Sequence, residues 1–378
     1  MRSLAVAFLI LASTVGLVLV GDFTLGAVRG HASDEQSESC VVQDARLHHR
    51  WKPACRQRQT WGKLSYELAI NSLGDRDASV RDVAPLRGGA RRVVLIGDSY
   101  AVCCLPWQDL VVAKMQLRAP GMEFHTAGML SWSPTIYARR VRELIDAKFE
   151  FDDLVVMIDI SDIQDEAAVY GVDAKGELYD LQGRTRAEDT GQPNDALHDA
   201  LQRLAASNKL RKWLPLTHDL IRSLAWREPR PGEIPDIDRG AWTYNGSDAA
   251  VEKRAYGPRG YAGGIAKAQA AMDDLAAAAK AAGIRLHLVV YPWPQQLLHD
   301  QADSLQVRVW RQWCERARCD SFVDIFPAMF EAKARSGAWY GEYFIPGDTH
   351  YNARGNDLIA GAIVAGALGL PAPVGRAP

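Results

Sequence analysis

Two short segments of the sequence carry the residue types of a nucleophilic serine site. A buried-strand pattern at residues 93–96 ends at Gly97-Asp98-Ser99, and Asp348-Thr349-His350 stands near the other end of the chain. A serine hydroxyl is a weak nucleophile unless an imidazole takes its proton and a carboxylate orients that imidazole. We therefore interpret Ser99 as a nucleophile, His350 as its base and Asp348 as the residue that orients the base.

Both segments are expected to lie on rigid elements at one edge of a sheet. From residue 91 onward, short apolar runs alternate with longer helical stretches, which is typical of an α/β domain with a largely parallel sheet. The predicted strands are Arg92 to Ile96, Met122 to Thr126, Leu154 to Ile160, Leu286 to Tyr291 and Ser321 to Asp324. The predicted helices are Val102 to Arg118, Pro134 to Ala147, Ile265 to Ala282, Ser304 to Arg318 and Ala353 to Leu368. Ligands of open α/β sheets bind at the carboxyl ends of the strands, and Ser99 follows such an end.

The two segments together resemble the SGNH, or GDSL, family of serine esterases and acyltransferases. Gly97-Asp98-Ser99 is similar to the first block of the family, and Asp348 with His350 matches the last block, which precedes a C-terminal helix. The resemblance covers roughly residues 90 to 368. It implies a three-layer, flavodoxin-like α/β sandwich with a mainly parallel sheet. It also implies an oxyanion hole made by the backbone N–H of Ser99, the N–H of Gly128 and a third-block donor.

The third and last blocks depart from the family pattern. Ser161 stands where the family has an oxyanion-hole asparagine, and a serine hydroxyl donates with a shorter reach. The last block has Asp-x-His spacing instead of the usual Asp-x-x-His. This shorter form is similar to alginate-type O-acetyltransferases and related exported bacterial SGNH proteins of exopolysaccharide systems. The resemblance therefore favours an acylated polysaccharide as the substrate.

The N-terminal sequence indicates export. Arg2 is followed by an uncharged apolar run from Leu4 to Val20, and Gly30-His31-Ala32 is a candidate cleavage site. A cleaved signal peptide and an uncleaved inner-membrane anchor are both compatible with this length, so residues 1–32 are assigned to either. We expect the catalytic part to be periplasmic or otherwise extracytoplasmic.

Six cysteines fit an oxidising compartment. Cys40 with Cys55 and Cys314 with Cys319 are candidate disulfides because each pair is close in sequence. The adjacent residues Cys103 and Cys104 are expected to be packed thiols, since neighbouring cysteines rarely bridge without strain.

Three further segments complete the predicted organisation. Residues 33–90 form an N-terminal extension, residues 91–368 form the hydrolase-like domain with an insertion at 165–260, and residues 369–378 form a tail. In the extension, His48 and His49 either line a functional site or form a structural or surface histidine pair. The insertion interleaves aromatic and polar residues, as a carbohydrate-binding surface would, although core or lid packing is the commoner role of such residues. Its aromatic residues are Trp226, Trp242, Tyr244, Tyr256 and Tyr261.

Composition narrows the range of functions. With 378 residues, 48% of them hydrophobic, the chain can build one large domain with a small appendage. A net charge of −2 gives no reason to expect a nucleic acid partner. No glycine-rich nucleotide fingerprint and no metal-ligand spacing is present, so neither a cofactor nor a metal is expected.

Three functions remain open at this point. The first is an exported serine esterase that removes short acyl groups, such as acetyl, from a carbohydrate or another small ester. The second is a polysaccharide O-acetyltransferase that uses the same acyl-serine, and the third is a non-catalytic glycan-binding relative. A Ser-His-Asp site cannot separate the first two, because water and a sugar hydroxyl compete for one acyl-enzyme. We favour the esterase because the sequence shows no acyl-donor motif.

Overall fold

The computed structural model describes residues 13–27, 39–62, 64–181, 213–225, 232–235, 241–244 and 255–370, with isolated positions 204, 210 and 229 between them. These residues divide into two compact units. The smaller draws on the described parts of 1–39 and 184–229, and the larger on those of 40–183 and 230–378. Much of the predicted leader and most of the predicted insertion, including Trp226, lie outside the described residues. All candidate site residues belong to the larger unit.

Eight strands of the larger unit form a single mixed sheet, in the order β12-β11-β8-β6-β7-β5-β4-β3. Two antiparallel pairs, β1 with β2 and β9 with β10, lie outside this sheet. The strands are β1 Val41–Asp44, β2 His48–Trp51, β3 Arg56–Trp61, β4 Leu64–Ile70, β5 Arg76–Asp77, β6 Arg91–Ile96, β7 Met122–Thr126, β8 Asp153–Ile158, β9 Tyr170–Val172, β10 Leu178–Asp180, β11 Arg285–Val290 and β12 Ser321–Asp324.

The parallel part of the sheet has the flavodoxin-like strand order. The spatial order β7-β6-β8-β11-β12 corresponds to 2-1-3-4-5 when these strands are numbered along the chain, and all neighbours among them are parallel. The chain leaves β6 towards β7 on one side and then crosses to β8 on the other. A crevice therefore opens between the carboxyl ends of β6 and β8, which is where doubly wound sheets bind their ligands. This order confirms the predicted fold class.

Helices cover the sheet as two separate layers. Gly260–Ala281 packs on Pro134–Asp146, while Ala353–Gly366 packs on Val111–Arg118. The remaining helices of the larger unit are Ser99–Val102, Ser161–Gln164, Pro294–His299, Leu305–Ala317, Phe326–Arg335 and Trp339–Tyr343, with single turns at Trp107–Asp109, Asp165–Val169 and Gly257–Arg259. The smaller unit contains the helix Pro215–Ala225. The hydrophobic core contains buried residues of the strands and of the helices that pack on them.

The predicted continuous helix from Val102 to Arg118 is wrong. The structure has a short helix that ends at Val102 and a second that begins at Val111. Cys104 lies between them with φ = 80°, a backbone conformation that no right-handed helix accommodates, and Pro106 follows it.

The predicted N-terminal extension contributes three strands to the main sheet. β3, β4 and β5 pair antiparallel with one another, and Arg76 of β5 pairs with Thr126 of β7. A tight turn joins β4 to β5. Asn71 fixes the turn, because its Oδ1 accepts hydrogen bonds from the backbone N–H groups of Leu73 and Asp75, at 3.0 and 3.1 Å.

All six cysteines are paired in the structure. Cys40 bonds to Cys55 and Cys314 bonds to Cys319, as their spacing predicted. Cys103 and Cys104 are also bridged, so the expectation that they are free thiols is wrong. The helix ends at Val102, and Cys104 has a positive φ of 80° beside this bridge.

Among the helices of the described residues, none is both long and apolar enough to cross a membrane.

Asp153, the first residue of β8, is a buried acidic residue within the sheet. It is fully buried and accepts contacts from Arg91, Arg285 and His287 at 2.6, 2.9 and 2.9 Å. Burial opposes ionisation of Asp153, but the hydrogen bonds from Arg91 and His287 and the charges of both arginines hold the pKa of this carboxyl well below its ordinary value.

We expect Asp153→Asn to lower the free energy of unfolding by about 2 kcal/mol at neutral pH, because it leaves partly buried cations without their counter-charge. A carboxyl whose pKa is lower in the folded than in the unfolded state stabilises the fold at any pH above its unfolded-state pKa. This stabilisation is lost as the pH falls towards the folded-state pKa. The difference in the free energy of unfolding between wild type and Asp153→Asn should therefore become smaller below about pH 4.

Urea unfolding followed by circular dichroism at neutral and acidic pH measures both quantities. Asp357→Asn, which breaks a more exposed pair with Arg118, serves as the control and should cost less than about 1 kcal/mol. A difference for Asp153→Asn that stays constant down to about pH 3 would contradict the electrostatic explanation.

Candidate active site

Ser99 lies at the first position of a helix directly after β6. Asp98 caps this helix, Ser99–Val102, because its Oδ1 accepts a hydrogen bond from the Tyr100 N–H at 2.9 Å. The first backbone N–H groups of a helix have no acceptor within it, so the Ser99 N–H can serve a ligand at the carboxyl edge of the sheet. The sequence therefore places both a hydroxyl and a backbone donor at the crevice.

The structure brings Ser99, His350 and Asp348 into one chain of hydrogen bonds. Ser99 Oγ lies 2.8 Å from His350 Nε2, and His350 Nδ1 lies 2.6 Å from Asp348 Oδ1. Because an ionised carboxylate only accepts hydrogen bonds, Nδ1 carries the proton towards Asp348. Nε2 is then the acceptor for the serine hydroxyl. This is the geometry in which an imidazole can act as a general base.

Two tyrosines hold the last block against the nucleophile. Tyr100, next to Ser99, donates its hydroxyl hydrogen bond to the carbonyl of Thr349 at 2.8 Å, and its ring lies 4.7 Å from the His350 ring. The Asp348 N–H donates to the hydroxyl of Tyr340 at 2.9 Å. Burial, followed by the charge of nearby Asp159, raises the pKa of Tyr100 well above its usual value. Its hydroxyl therefore remains a neutral donor.

Trp61, which sequence reasoning missed, completes the surroundings of Asp348. It lies at the end of β3, and its indole Nε1–H donates a hydrogen bond to Asp348 Oδ2, the oxygen that His350 does not use. The Trp61 ring also meets the His350 ring edge-on, at 5.7 Å and 87°. No local pattern around residue 61 signals this contact, because it joins residues 287 positions apart.

The ionised state of Asp348 depends on these donors. Burial by itself would raise the pKa of Asp348, but the charge of His350 and the hydrogen bonds from His350 and Trp61 outweigh it. The pKa of Asp348 is consequently below its usual value, and the carboxyl stays charged at neutral pH.

Gly128 follows β7 and packs tightly against the strand that leads to Ser99. A Cβ atom at position 128 would lie 2.6 Å from the carbonyl oxygen of Gly97, so only glycine fits. On either side, Ala127 and Met129 donate their N–H groups to Leu95 and Gly97 at 2.8 and 3.3 Å. These contacts fix the Gly128 backbone beside the nucleophile.

His49 of the N-terminal extension supports the loop that follows Gly128. Its Nε2 donates a hydrogen bond to the Leu130 carbonyl at 2.7 Å, and Trp132 donates its indole N–H to the His49 carbonyl at 2.9 Å. His49 is buried, while His48 contacts His49 and Tyr170. Of the two roles left open for this histidine pair, the structure supports the structural one for His49.

Ser161 follows β8, as predicted, but its hydroxyl is already engaged. It donates to Asp159 Oδ1 at 2.8 Å, and the Ser161 N–H donates to the same oxygen at 2.7 Å. Trp293 donates its indole N–H to the other oxygen of Asp159 at 2.8 Å. The predicted role of Ser161 as the third oxyanion donor would therefore require the bond to Asp159 to break.

Asp162 adds a second buried carboxyl beside Asp159. It accepts hydrogen bonds from the Asp159 N–H at 2.8 Å and from the Tyr137 hydroxyl at 2.9 Å. Burial, together with the charges of Asp159 and Asp98, raises the pKa of Asp162 well above its usual value. The region under the nucleophile is thus crowded with carboxyl groups, and further negative charge there is disfavoured.

The aromatic residues of the predicted insertion that the structure describes pack in or against the hydrophobic core. Trp242 and Tyr256 are buried, and the Trp242 indole donates to the carbonyl of Ile160 at 3.2 Å. For these two residues the core-packing alternative is correct, because their rings stabilise the segment that follows β8. Tyr244 and Tyr261 are half-buried against the same core.

One group of potential metal ligands lies at the site, within the part of the chain that the structure describes. Cys103, Cys104 and His350 place one ligand atom each within 4.8 Å of one another. Sequence reasoning missed this group, because the histidine comes from the opposite end of the domain.

No protein-family model and no curated protein matches the sequence. Several solved structures are similar to it. A catalytic mutant of Axe2, an acetylxylan esterase from Geobacillus stearothermophilus, is 13% identical with a TM-score of 0.38 and aligns over 74% of this chain and 95% of that one. TesA is 12% identical with a TM-score of 0.36, over 72% and 96% of the two chains. At these TM-scores the likeness carries no argument about this chain.

We expect Trp61→Phe to lower kcat/KM about tenfold and to move the acid limb of its pH profile towards higher pH. The phenyl ring keeps much of the packing against His350 but removes the N–H that stabilises the Asp348 carboxylate, so the pKa of Asp348 rises. Steady-state hydrolysis of p-nitrophenyl acetate between acidic and neutral pH measures the shift.

Trp313→Phe is the matched control for this measurement. It removes an indole hydrogen bond to another carboxylate, Asp273, at 2.8 Å. We expect a stability loss and an unmoved pH profile. Identical profiles for Trp61→Phe and Trp313→Phe would show that Trp61 acts only through packing.

We expect Ser161→Ala to lower kcat less than tenfold, because its hydroxyl serves Asp159 and not the reacting carbonyl. Loss of a true oxyanion donor typically costs about 10²–10³ in kcat. The measurement is kcat on p-nitrophenyl acetate, with Ser304→Ala as a control that removes another serine to carboxylate bond, to Asp300. A hundredfold loss for Ser161→Ala alone would restore Ser161 to the oxyanion hole.

Proposed function

We propose that the protein is a serine esterase of the SGNH type that hydrolyses short-chain esters, acetyl esters in particular, through an acyl-serine intermediate. One observation carries the proposal: the hydrogen-bonded chain from Ser99 through His350 to Asp348 stands at the crevice between β6 and β8. An activated serine at the ligand-binding edge of a doubly wound sheet suits acyl transfer.

The reaction begins when Ser99 Oγ attacks the ester carbonyl while its proton passes to His350 Nε2. Asp348 holds the Nδ1–H and stabilises the imidazolium that forms. Collapse of the tetrahedral intermediate breaks the ester bond, and His350 gives the proton to the leaving alcohol. Water then attacks the acyl-serine with His350 again as base, which releases the acid and restores the Ser99 hydroxyl.

The tetrahedral intermediate carries a negative oxygen that needs donors. We assign the backbone N–H groups of Ser99 and Gly128 to this oxygen, since both lie at the carboxyl edge beside the serine hydroxyl. Each such donor lowers the barrier by about 3 kcal/mol. Ser161 is the candidate third donor only if its hydroxyl leaves Asp159 during the reaction.

Acylated carbohydrate is the substrate class that we propose for this esterase. The Asp-x-His spacing supports it, and so does the half-buried Trp61 beside His350, because an indole face is a suitable platform for a sugar ring. We also propose export, with residues 1–32 as signal peptide or anchor. The paired cysteines support this location, since disulfides persist in oxidising compartments.

We expect Ser99→Ala and His350→Ala each to reduce kcat on p-nitrophenyl acetate at least about 10⁴-fold, because either change removes the activated nucleophile. Circular dichroism and thermal unfolding should show an intact fold. Ser65→Ala and His299→Ala, which change the same residue types outside the triad, are the controls. Wild-type turnover in Ser99→Ala would overturn the assignment of the nucleophile.

The same preparation separates hydrolysis from transfer. The protein is incubated with p-nitrophenyl acetate and a panel of oligosaccharides, and the products are analysed by mass spectrometry. Free acetate with every acceptor supports the esterase. Acetylated oligosaccharide that disappears in Ser99→Ala would identify the alternative, an O-acetyltransferase, while glycan binding without turnover would identify a non-catalytic relative.

A further inference from the structure

Cys103 and Cys104 lie beside His350 in the candidate active site. Both are buried, and their Sγ atoms and a ring nitrogen of His350 lie within 4.8 Å of one another. Nδ1 of His350 is hydrogen-bonded to Asp348, so Nε2, the nitrogen that faces Ser99, is the one that can take a different partner. The cysteine pair therefore borders the nitrogen on which the proposed reaction depends.

The backbone around the pair is held by bonds that do not involve sulfur. The guanidinium of buried Arg76 donates hydrogen bonds to the carbonyls of Val102 and Leu105, which flank the pair on either side. The Cys103 N–H also donates to the Ser99 carbonyl at 2.7 Å. None of these three contacts involves sulfur, so reduction does not by itself remove what holds the pair next to His350.

The oxidised and reduced pairs differ sharply as ligands. A disulfide sulfur is a poor ligand, whereas two thiolates and an imidazole form a soft donor set that suits Zn²⁺ or Cd²⁺, with water at the fourth position. Metal–ligand distances of about 2.0–2.3 Å place the ligand atoms of a tetrahedral site roughly 3.5 Å apart. Because the three ligand atoms lie within 4.8 Å of one another, cation binding requires the released sulfurs to move apart and His350 to approach them by shifts on the order of 1–2 Å.

We propose that reduction of the Cys103–Cys104 disulfide creates a site for a thiophilic divalent cation, held by the two thiolates and His350 Nε2, and that the bound cation blocks the esterase. A dithiol supplies two electrons and two protons: the S–S bond breaks, two S–H bonds form, and the reductant closes to its own disulfide. The cation then displaces the two thiol protons to solvent. Only the loss of activity rests on the proposed function.

Inhibition follows from competition for one lone pair. When His350 Nε2 is bound to the cation, it cannot accept the proton of Ser99, and the serine remains an unactivated hydroxyl. Asp348 keeps its bond to Nδ1 and thereby orients the ring towards the cation, as carboxylates commonly do for metal-bound histidines.

Binding is tested first, without reference to activity. The full chain is reduced with dithiothreitol, freed of reductant by gel filtration under nitrogen and titrated with Cd²⁺, while the ultraviolet charge-transfer absorbance of cadmium–thiolate bonds is recorded. Because dithiothreitol also opens the other two disulfides, we expect a saturable signal of one Cd²⁺ per chain in excess of the signal from the double cysteine variant. The double variant Cys103→Ser/Cys104→Ser, which keeps the Cys40–Cys55 and Cys314–Cys319 pairs, provides the background.

Two further variants distinguish the ligand set from the catalytic assignment. Ser99→Ala should bind Cd²⁺ with unreduced affinity, and His350→Ala should bind at least tenfold more weakly. Equal titrations for wild type and the double cysteine variant, or full affinity in His350→Ala, would overturn the proposed site. These results are independent of whether the protein hydrolyses any ester.

Activity is measured last, on p-nitrophenyl acetate. We expect Cd²⁺ or Zn²⁺ to inhibit the reduced wild type at concentrations at least tenfold below those that inhibit the oxidised form, with recovery after chelation. The double cysteine variant should lose this dependence on reduction. Binding at the site without inhibition would overturn the blocking step, and absence of turnover in the untreated wild type would count against the proposed function alone.

Discussion

The hydrogen bond between Ser99 and His350 joins residues 251 positions apart, and much of the structure serves to keep that contact in place. Ser99 is fixed by the end of β6 and by the Asp98 cap of its short helix. His350 is fixed by the helix that follows it, whose first N–H groups are capped by Asn352 at 2.9 and 3.1 Å. A hydrogen bond from the Tyr100 hydroxyl to the Thr349 carbonyl joins the segment of Ser99 to the segment of His350. A short hydrogen bond tolerates little displacement, so both partners must stand on rigid elements.

The N-terminal extension is part of this machinery and not a separate attachment. Three of its residues each hold a different part of the site: Trp61 contacts the carboxylate of Asp348, His49 contacts the loop after Gly128, and Arg76 clamps the cysteine pair. Burial lowers the pKa of Arg76 to about 10, yet at neutral pH the guanidinium remains charged and therefore a strong donor. The extension thus supplies donors that the parallel core of the sheet does not provide.

Three buried carboxyl groups near Ser99 disfavour additional negative charge at the candidate site. Asp98, Asp159 and Asp162 are all buried near the end of β6 and β8, and they use several of the donors that surround them. An oxyanion that forms above them is repelled by whichever of these groups is charged. In the proposed reaction the backbone N–H groups of Ser99 and Gly128 are therefore assigned the greater part of its stabilisation, since the Ser161 hydroxyl is engaged with Asp159.

The sequence alone determined the α/β class, the five parallel strands, and the three residues that meet as Ser99, His350 and Asp348. The class and the strands follow from local signals, because hydrophobic period acts over a few residues. The three site residues follow from their types and from the resemblance of their two segments to the SGNH blocks. Only the tertiary structure decided that the helix after Ser99 breaks at a bridged Cys103–Cys104 pair, that Trp61 donates to Asp348, that Ser161 turns to Asp159, and that Trp242 packs in the core. The contacts of Trp61 and Trp242 join segments that are far apart in the sequence. The contacts of Cys103 with Cys104 and of Ser161 with Asp159 are local, but they depend on a backbone conformation that periodicity does not reveal. Periodicity gives the face of an element on which a side chain lies, but the partner it meets there is a property of the folded chain.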